Sequence, residues 1–225
     1  MTVITIANRK GGVGKTSIAL NLAAGLALKH RKTARVVLFD LDPQLNSLLA
    51  LSGSEEFQPE YSAAAAMADQ EYLDARLLPR PTLGNLVLES DWYPNLFYVP
   101  NNESLFLDLR VRLGAYPEIG ERLQSAIRGL SGFDYVIIDT GPAIDALMVA
   151  LLFATDYVLV PVAPDGRSIR GALHMAETVA QVGQANGGGG PRLLGYVLNQ
   201  IDLRRVGDRS ALEAARTQFG SALFK

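Results

Sequence analysis

The segment Lys10-Gly-Gly-Val-Gly-Lys-Thr16 stands between an apolar run, Val3–Ala7, and a helical pattern over Thr16–Leu28. Glycines in such a turn let backbone N–H groups point inward around an anion, and the N-terminus of the following helix adds a partial positive charge. In this setting we expect Lys15 to reach the β- and γ-phosphates of a nucleotide and the Thr16 hydroxyl to bind Mg²⁺. The segment therefore predicts a phosphate-binding loop between a first strand and a first helix.

Short apolar runs recur along the chain and alternate with patterns typical of helices. Most runs lack polar alternation, as is typical of strands buried on both faces of a parallel sheet. The sequence therefore predicts an α/β fold, with a mostly parallel, twisted, doubly wound sheet and helices on both faces. Strands are predicted at Val3–Ala7, Arg35–Phe39, Leu96–Pro100, Tyr135–Ile138, Tyr157–Pro161 and Leu193–Leu198. Helices are predicted at Thr16–Leu28, Glu118–Leu130, Asp145–Phe153, Ser168–Val182 and Ser210–Phe219.

Composition limits the class of protein. The chain has 225 residues, of which 48% are hydrophobic, enough for one domain with a sizeable core. Its net charge of −2 gives no overall positive field of the kind that attracts nucleic acid. The absence of cysteine excludes disulfides, thiol catalysis and cysteine-bound metals. The longest apolar stretch, residues 146–155, is far shorter than the ~20 residues of a membrane-spanning helix, so we expect a cytoplasmic protein.

Two stretches do not fit the alternation of strands and helices. Residues 53–95 have mixed periodicity and several prolines, and they are predicted to form helices and loops. The segment Asn186-Gly-Gly-Gly-Gly-Pro191 is predicted to be a flexible connector between a helix and a strand. No internal repeat or composition change divides the chain, so a single domain is predicted over residues 1–225.

The phosphate loop departs from the ordinary pattern, because Arg9 stands where a P-loop has its first glycine and a second lysine, Lys10, follows. This form resembles the deviant Walker A motif of the ParA/MinD family of P-loop ATPases. The segment Phe39-Asp-Leu-Asp-Pro-Gln44 is similar to the second motif of that family, and its Asp-Pro-Gln favours the ParA (Soj-like partition) branch. Phe133-Asp-Tyr-Val-Ile-Ile-Asp139 resembles the Walker B strand. The resemblance covers roughly residues 1–220, and it is weak over 53–95.

The resemblance implies an enzyme that hydrolyses ATP to ADP and phosphate, with ATP and Mg²⁺ as cofactors. Val160-Pro-Val162 and Val197-Leu-Asn199 match the segments that hold adenine in relatives. Ser17 is expected to bond the α-phosphate. The predicted nucleotide-binding residues are therefore Lys10, Gly11, Gly12, Val13, Gly14, Lys15, Thr16, Ser17, Pro161 and Asn199.

Three aspartates follow the ends of predicted parallel strands, so we expect them to meet at the edge of the sheet that faces the ligand. Asp139 is predicted to bind Mg²⁺ through a water molecule, since Mg²⁺ keeps several waters and takes few carboxylates. Asp42 is the candidate that orients or activates the attacking water, a role implied by the resemblance. Asp40 is expected to support the metal or its water shell. A helix-capping or turn role before Pro43 is the alternative for both Asp40 and Asp42.

Lys10 distinguishes this loop from other P-loops, because Lys15 already serves the nucleotide of its own subunit. In relatives the equivalent lysine crosses a two-fold interface to the partner's nucleotide, where it stabilises charge in trans as an arginine finger does. The resemblance therefore implies an ATP-dependent homodimer. A solvated lysine at the mouth of the loop is the alternative.

The resemblance also implies nonspecific binding to double-stranded DNA by the ATP dimer, and stimulation of slow hydrolysis by a ParB-like partner. Arg204 falls where relatives carry a DNA-contacting arginine, and Arg205 and Arg209 are its neighbours. Such a patch, doubled in a dimer, would bind phosphates without reading bases, and the ATP-bound protein would lie on the nucleoid. The alternative is a solvated loop in which Asp202 and Asp208 offset the arginines.

Two departures from the family pattern bear on these predictions. Gly141 stands where relatives usually have proline, in the segment expected to sense the γ-phosphate, and glycine makes that segment more flexible. We also expect the C-terminal strand and helix of relatives to be absent. Two other functions remain open: a MinD-like positioning ATPase that uses a membrane, and a metabolic ligase of the dethiobiotin synthetase type.

Overall fold

The computed structural model describes residues 1–29, 34–54, 57–114 and 118–224. In these ranges the strands form one seven-stranded sheet in the order β3-β4-β2-β5-β1-β6-β7, parallel except for the antiparallel pairing of β3 with β4. The strands are β1 (Thr2–Ile6), β2 (Val36–Leu41), β3 (Leu88–Glu89), β4 (Leu96–Tyr98), β5 (Tyr135–Thr140), β6 (Tyr157–Val162) and β7 (Arg192–Leu198). The predicted α/β fold is confirmed, and the short edge strand β3 is an addition.

Helices cover both faces of the sheet. The helices are α1 (Lys15–Lys29), α2 (Asn46–Ser52), α3 (Ala63–Met67), α4 (Gln70–Asp74), α5 (Leu83–Leu86), α6 (Glu103–Leu113), α7 (Glu118–Arg128), α8 (Ala146–Ala154), α9 (Gly166–Ala185) and α10 (Val206–Phe219). Single 3-10 turns occur at Pro59–Tyr61 and Gly220–Ala222.

Successive residues of the central strands enter two separate cores. Val36 and Leu38 of β2 pack with α1 and α2 on one face, whereas Val37, Phe39 and Leu41 pack with α6 to α9 on the other. All six residues of β2 are buried as a result. Burial on both faces explains why these strands lack polar alternation in the sequence.

Besides α2, helix α6 was not predicted from the sequence. Its buried residues include Leu105 and Leu109, but Leu107 and Val111 point outward and are 43% and 82% exposed, which blurs the helical pattern of apolar residues. The signal that could have found it is Asn102, whose side chain accepts a hydrogen bond from the Leu105 N–H and caps the helix.

The unclear stretches largely follow their predictions. In the stretch 53–95, residues 55–56 lie outside the described residues, and the rest contains a 3-10 turn, the short helices α3 to α5, the strand β3 and loops. Residues 186–191 connect α9 to β7, as predicted, and Gly187 and Gly188 there have φ values of 64° and 82° that favour glycine.

Candidate functional site

The phosphate loop leaves the carboxyl end of β1 and is held by Asn8. The Asn8 Nδ2 donates to the Pro161 carbonyl at 2.6 Å, and its Oδ1 accepts the Lys10 N–H at 3.0 Å. Gly12 and Gly14 have φ values of 73° and 87°, a backbone conformation that side chains disfavour. The glycines are therefore needed for the turn, as the motif predicts.

The loop is supported from behind by the end of β7. The Asn199 Nδ2 donates to the Val13 carbonyl at 3.0 Å, and the Gln200 Nε2 donates to the Gly12 carbonyl at 2.9 Å. A Cβ atom at Gly14 would lie 2.1 Å from the Asn199 Nδ2, so no side chain fits there. Sequence reasoning missed Gln200, since only the folded sheet brings it to the loop.

Two residues predicted to hold adenine have structural contacts here. Pro161 is buried within β6 and its carbonyl accepts from Asn8, while Asn199 braces the phosphate loop. Their contacts to adenine stay predictions.

Lys15 begins α1 and is buried, although it is a lysine. Its Nζ donates to the Lys10 carbonyl at 3.3 Å, and it forms no ion pair within the described ranges. Burial lowers the pKa of Lys15, and the charges of Asp139 and Asp42 oppose this shift. A buried ammonium group without a carboxylate partner is suited to an anionic ligand. Thr16 beside it is half-buried, and Ser17 is exposed in the first turn of α1.

Asp139 lies opposite Ile6 and Asp40 in the register of the sheet, and its carboxylate is close to the Thr16 hydroxyl of the phosphate loop. It is completely buried, and neither oxygen accepts a hydrogen bond of ordinary geometry from a described residue. Burial raises the pKa of Asp139 to about 7; the Asp40 charge adds to this, and the Thr16 hydroxyl and Lys15 act in the opposite direction.

An orphaned buried carboxylate beside a threonine hydroxyl fits a magnesium site. Within the described ranges, no three histidine, aspartate or glutamate residues come together as metal ligands would. Mg²⁺ takes one or two carboxylates together with substrate phosphates and water. Asp139 and Thr16 are the residues that would hold it.

Asp40 has the contacts of the capping alternative. Its Oδ2 accepts from the Ser47 N–H at 2.9 Å, the Ser47 Oγ at 2.7 Å and the Leu48 N–H at 3.1 Å, all in the first turn of α2. Its Oδ1 accepts the Asp42 N–H at 2.9 Å. Burial raises the pKa of Asp40, and these hydrogen bonds oppose the shift. With its oxygens used in this way, Asp40 fixes the turn after β2, and no described contact supports a direct metal role.

Asp42 is half-buried at the turn that Asp40 fixes. Its Oδ1 accepts the Gln44 N–H at 3.0 Å. Its Oδ2 lies beside Gly141, since a Cβ atom built on that glycine would be 3.7 Å away. Asp42 therefore brings one carboxylate oxygen, without a hydrogen-bond donor among the described residues, to the loop that follows β5.

Lys10 is engaged within its own chain. Its Nζ forms an ion pair with Asp165, and the other oxygen of Asp165 accepts from the Arg167 and Ser168 N–H groups at the start of α9. Hydrogen bonds from Lys10 and from the helix hold the pKa of Asp165 below its usual range, against the effect of burial. To act on a partner's nucleotide, Lys10 must leave this pair.

The predicted DNA patch lies in the turn between β7 and α10 and in the first turn of α10, and it is partly neutralised. Arg204 forms a two-pronged pair with Asp202, with both N–O distances at 2.9 Å, and Arg205 approaches the same carboxylate at 3.7 Å. Arg209 donates to the Leu203 carbonyl. Arg204 and Arg205 remain 91% and 76% exposed, so phosphates could still reach them in competition with Asp202.

Comparison with known proteins agrees with this geometry. Residues 1–187 match the AAA_31 family, described as an AAA domain. The chain is also 31% identical over 223 residues to the chromosome-partitioning ATPase Soj of Thermus thermophilus, covering 98% of this chain and 78% of that protein. The chain belongs to the ParA/MinD family of P-loop ATPases. The motif resemblance is thereby confirmed.

Solved structures extend the comparison. The McdA–ATP complex from Cyanothece superposes with a TM-score of 0.80 at 22% identity, over 100% of this chain and 82% of that one, and shows that the fold is shared. Cobyrinic acid a,c-diamide synthase from Mycobacterium smegmatis, with bound ATP analog and magnesium, superposes with a TM-score of 0.76 at 26% identity, over 98% of this chain and 83% of that one. The same fold therefore occurs in McdA and in a cobyrinic acid a,c-diamide synthase. Among the described residues of this family member, no helix combines the length and apolar character needed to cross a bilayer.

Proposed function

We propose that this chain binds ATP with Mg²⁺ at the phosphate loop and hydrolyses it to ADP and phosphate. The observation that carries the proposal is the buried carboxylate of Asp139, which lies close to Lys15 and Thr16 and accepts no ordinary hydrogen bond from a described residue. Mg²⁺, when bound, neutralises charge on the β- and γ-phosphate oxygens.

Each residue then has a distinct task. Lys15 supplies a preformed positive charge for the β- and γ-phosphates, and its burial strengthens that interaction. Thr16 and Asp139 hold the metal, Asp139 through a water. Asp42 turns its unpaired oxygen toward the attacking water and orients it, because it is the half-exposed carboxylate at this edge of the sheet.

The ATPase is proposed to work as a switch that partitions chromosomes or plasmids or positions another cargo. ATP would bring two chains together, with Lys10 of each acting on the nucleotide of the other, and the dimer would bind double-stranded DNA nonspecifically through Arg204, Arg205 and Arg209. A ParB-like protein would stimulate hydrolysis and reset the switch, so the ATP-bound form would lie on the nucleoid. The name of the Thermus relative supports the partition role.

A metabolic ligase is the second candidate, favoured by the likeness to cobyrinic acid a,c-diamide synthase. It predicts ATP consumption only when a small carboxylic acid acceptor is present. The switch predicts slow ATP hydrolysis without any acceptor, together with a change in oligomeric state. Measuring phosphate release from ATP alone separates the two candidates.

The experiment that tests the switch is binding to arbitrary double-stranded DNA at fixed, moderate salt, with ADP, ATP or a non-hydrolysable ATP analogue. We expect binding only with the triphosphates, with no sequence preference, and its loss as salt rises. Lys15→Ala is the control and should abolish both DNA binding and ATP-dependent dimerisation. Normal ATP dimers in Lys15→Ala would refute the role of the phosphate loop, and ATP dimers of the wild type that bind no DNA would refute the arginine patch.

A further inference from the structure

The loop of residues 141–145, between β5 and α8, starts against the carboxylate proposed to orient water. A Cβ atom at Gly141 would lie 3.4 Å from the Pro43 Cδ and 3.7 Å from the Asp42 Oδ2. Gly141 is buried, whereas the next two residues are exposed. Any shift of this loop would therefore change the space beside Asp42.

Both ends of the loop are anchored. At the start, the Thr140 Oγ1 donates to the Ile6 carbonyl at 2.8 Å and joins the end of β5 to β1. At the far end, the Asp145 Oδ1 accepts the Met148 N–H at 3.1 Å and caps α8. The other oxygen of Asp145 forms an ion pair with the Arg110 Nη2. Arg110 belongs to α6, so this pair ties the far end of the loop to that helix.

The ion pair between Arg110 and Asp145 is partly shielded from solvent. The Arg110 side chain is only 18% exposed, so solvent and salt screen the interaction less than they screen a surface pair. The gap beneath the loop, lined by Arg110, Gly141 and Asp145 among others, has a volume of only about 10 Å³. The loop therefore packs closely against α6 and α8 at this point.

We propose that Arg110 is a positioning residue for ATP hydrolysis. Through Asp145 it fixes the loop of residues 141–145, and the loop in turn fixes Gly141 against Asp42. Glycine at position 141 has no side chain to restrain its own backbone, so the restraint must come from outside the loop. The inference rests on the proposed ATPase function, and it adds a residue that neither the nucleotide motifs nor the family resemblance indicates.

Two variants that remove the pair in different ways test the inference. Arg110→Gln removes the charge of α6, and Asp145→Asn removes the carboxylate but keeps an oxygen that can cap α8. We expect either variant to lower kcat of ATP hydrolysis about tenfold while KM changes less than about twofold, because positioning acts in the transition state. The double variant should be no slower than the single ones, and Arg110→Lys should recover part of the rate.

A matched control is Arg128→Gln, which removes another partly exposed arginine–aspartate pair, with Asp156 at the amino end of β6 and far from the loop. It should leave kcat unchanged. Hydrogen exchange of the amides in residues 141–146 should become faster in Arg110→Gln and Asp145→Asn, and not in Arg128→Gln.

The outcomes separate this inference from the proposed function. If kcat of both variants equals that of the wild type, or if their effects add, the positioning role is refuted. If kcat, ATP affinity and melting temperature all fall together without rescue by Arg110→Lys, the pair is merely structural and the inference is also refuted. If the wild type does not hydrolyse ATP, the proposed function fails, and the exchange measurement alone decides whether Arg110 holds the loop.

Discussion

At the scale of single residues, the site depends on charges that are buried without a partner. Lys15 and Asp139 lie near each other at the carboxyl edge of the sheet. Neither forms an ion pair within the described ranges. Burying a charge in this way costs stability, and it is tolerated where a ligand later supplies the missing partner. The nucleotide-free protein is therefore expected to have a lower free energy of unfolding than a variant in which such a buried charge is removed.

Asp139→Asn should make the nucleotide-free protein more stable. Because the pKa of Asp139 is raised from 3.8 to about 7, folding opposes its ionisation, and stability is lost as the pH rises through that interval. A shift of this size corresponds to at most ~4 kcal/mol, and the lost attraction to Lys15 reduces the gain, so we expect about 2 kcal/mol at about pH 8.

Urea denaturation at several pH values measures this effect. The difference between Asp139→Asn and wild type should shrink toward about pH 4, where both side chains are neutral. Asp91→Asn, at an exposed position, is the control and should not reproduce it. A variant that is less stable than wild type at every pH would contradict the idea that Asp139 awaits a metal.

Asp42→Asn should separate binding from hydrolysis. The amide keeps the hydrogen bond to the Gln44 N–H but orients water poorly, so nucleotide binding and dimerisation should persist while kcat falls by about 10²-fold or more. Phosphate release and nucleotide titration on the same sample measure both properties. Wild-type turnover would remove Asp42 from the mechanism.

At the scale of elements, the turn after β2 is organised by one carboxylate. Asp40 accepts four hydrogen bonds, three of them from the first turn of α2, which places Asp42 at the edge of the sheet. Its effect on the reaction is therefore exerted through the backbone of this turn.

Asp40→Ala should accordingly act on stability first. Loss of a helix cap costs ~1–2 kcal/mol, and leaving the Ser47 hydroxyl and backbone N–H groups without a partner adds to this, so we expect a loss of about 3 kcal/mol. Thermal unfolding without nucleotide measures the loss. Ser47→Ala, which removes one of the four bonds, should cost about 1 kcal/mol. A stable Asp40→Ala protein that has lost Mg²⁺ affinity would instead support the metal role.

At the scale of the whole molecule, the structure shows that the Lys10 ammonium group is bound by a carboxylate of its own chain. The ion pair with Asp165 joins the phosphate loop to the start of α9, two segments 155 positions apart. Dimerisation with Lys10 acting in trans would require that this pair open, so Asp165 competes with the phosphates of the partner's nucleotide.

Asp165→Asn should therefore favour the dimer. The amide can still cap α9 but binds Lys10 without charge, so ATP-dependent dimerisation should occur at an ATP concentration lower by roughly three- to tenfold. Light scattering with size-exclusion chromatography measures this. Combining the change with Lys10→Ala should remove the gain. If Asp165→Asn dimerises less readily than wild type, Asp165 instead holds Lys10 in its working position.

Local patterns were sufficient for the strands of the sheet other than β3, for the helices α1 and α7 to α10, and for the phosphate loop. Strand β2 and the turn at Gly12 and Gly14 depend on neighbouring residues alone: a run buried on both faces must be apolar throughout, and a positive φ requires glycine. Helix α6 escaped prediction because its outward face also carries apolar side chains. The roles of the arginine patch and of the adenine contacts stay predictions.

The sequence by itself determined which chemistry this protein can perform. The positions of the strands along the chain, the glycines of the phosphate loop and the polar residues that follow each strand can all be recognised from short segments. Only the tertiary structure decided what each charge faces. It directed Asp40 to α2, Lys10 to Asp165 and Arg110 to Asp145, and it left Asp139 without an ordinary hydrogen-bond partner among the described residues. Most of these contacts join segments that are distant in the chain. The strength of an electrostatic interaction depends on the distance between the charges and on their burial, and neither can be read from the spacing of residues along the sequence.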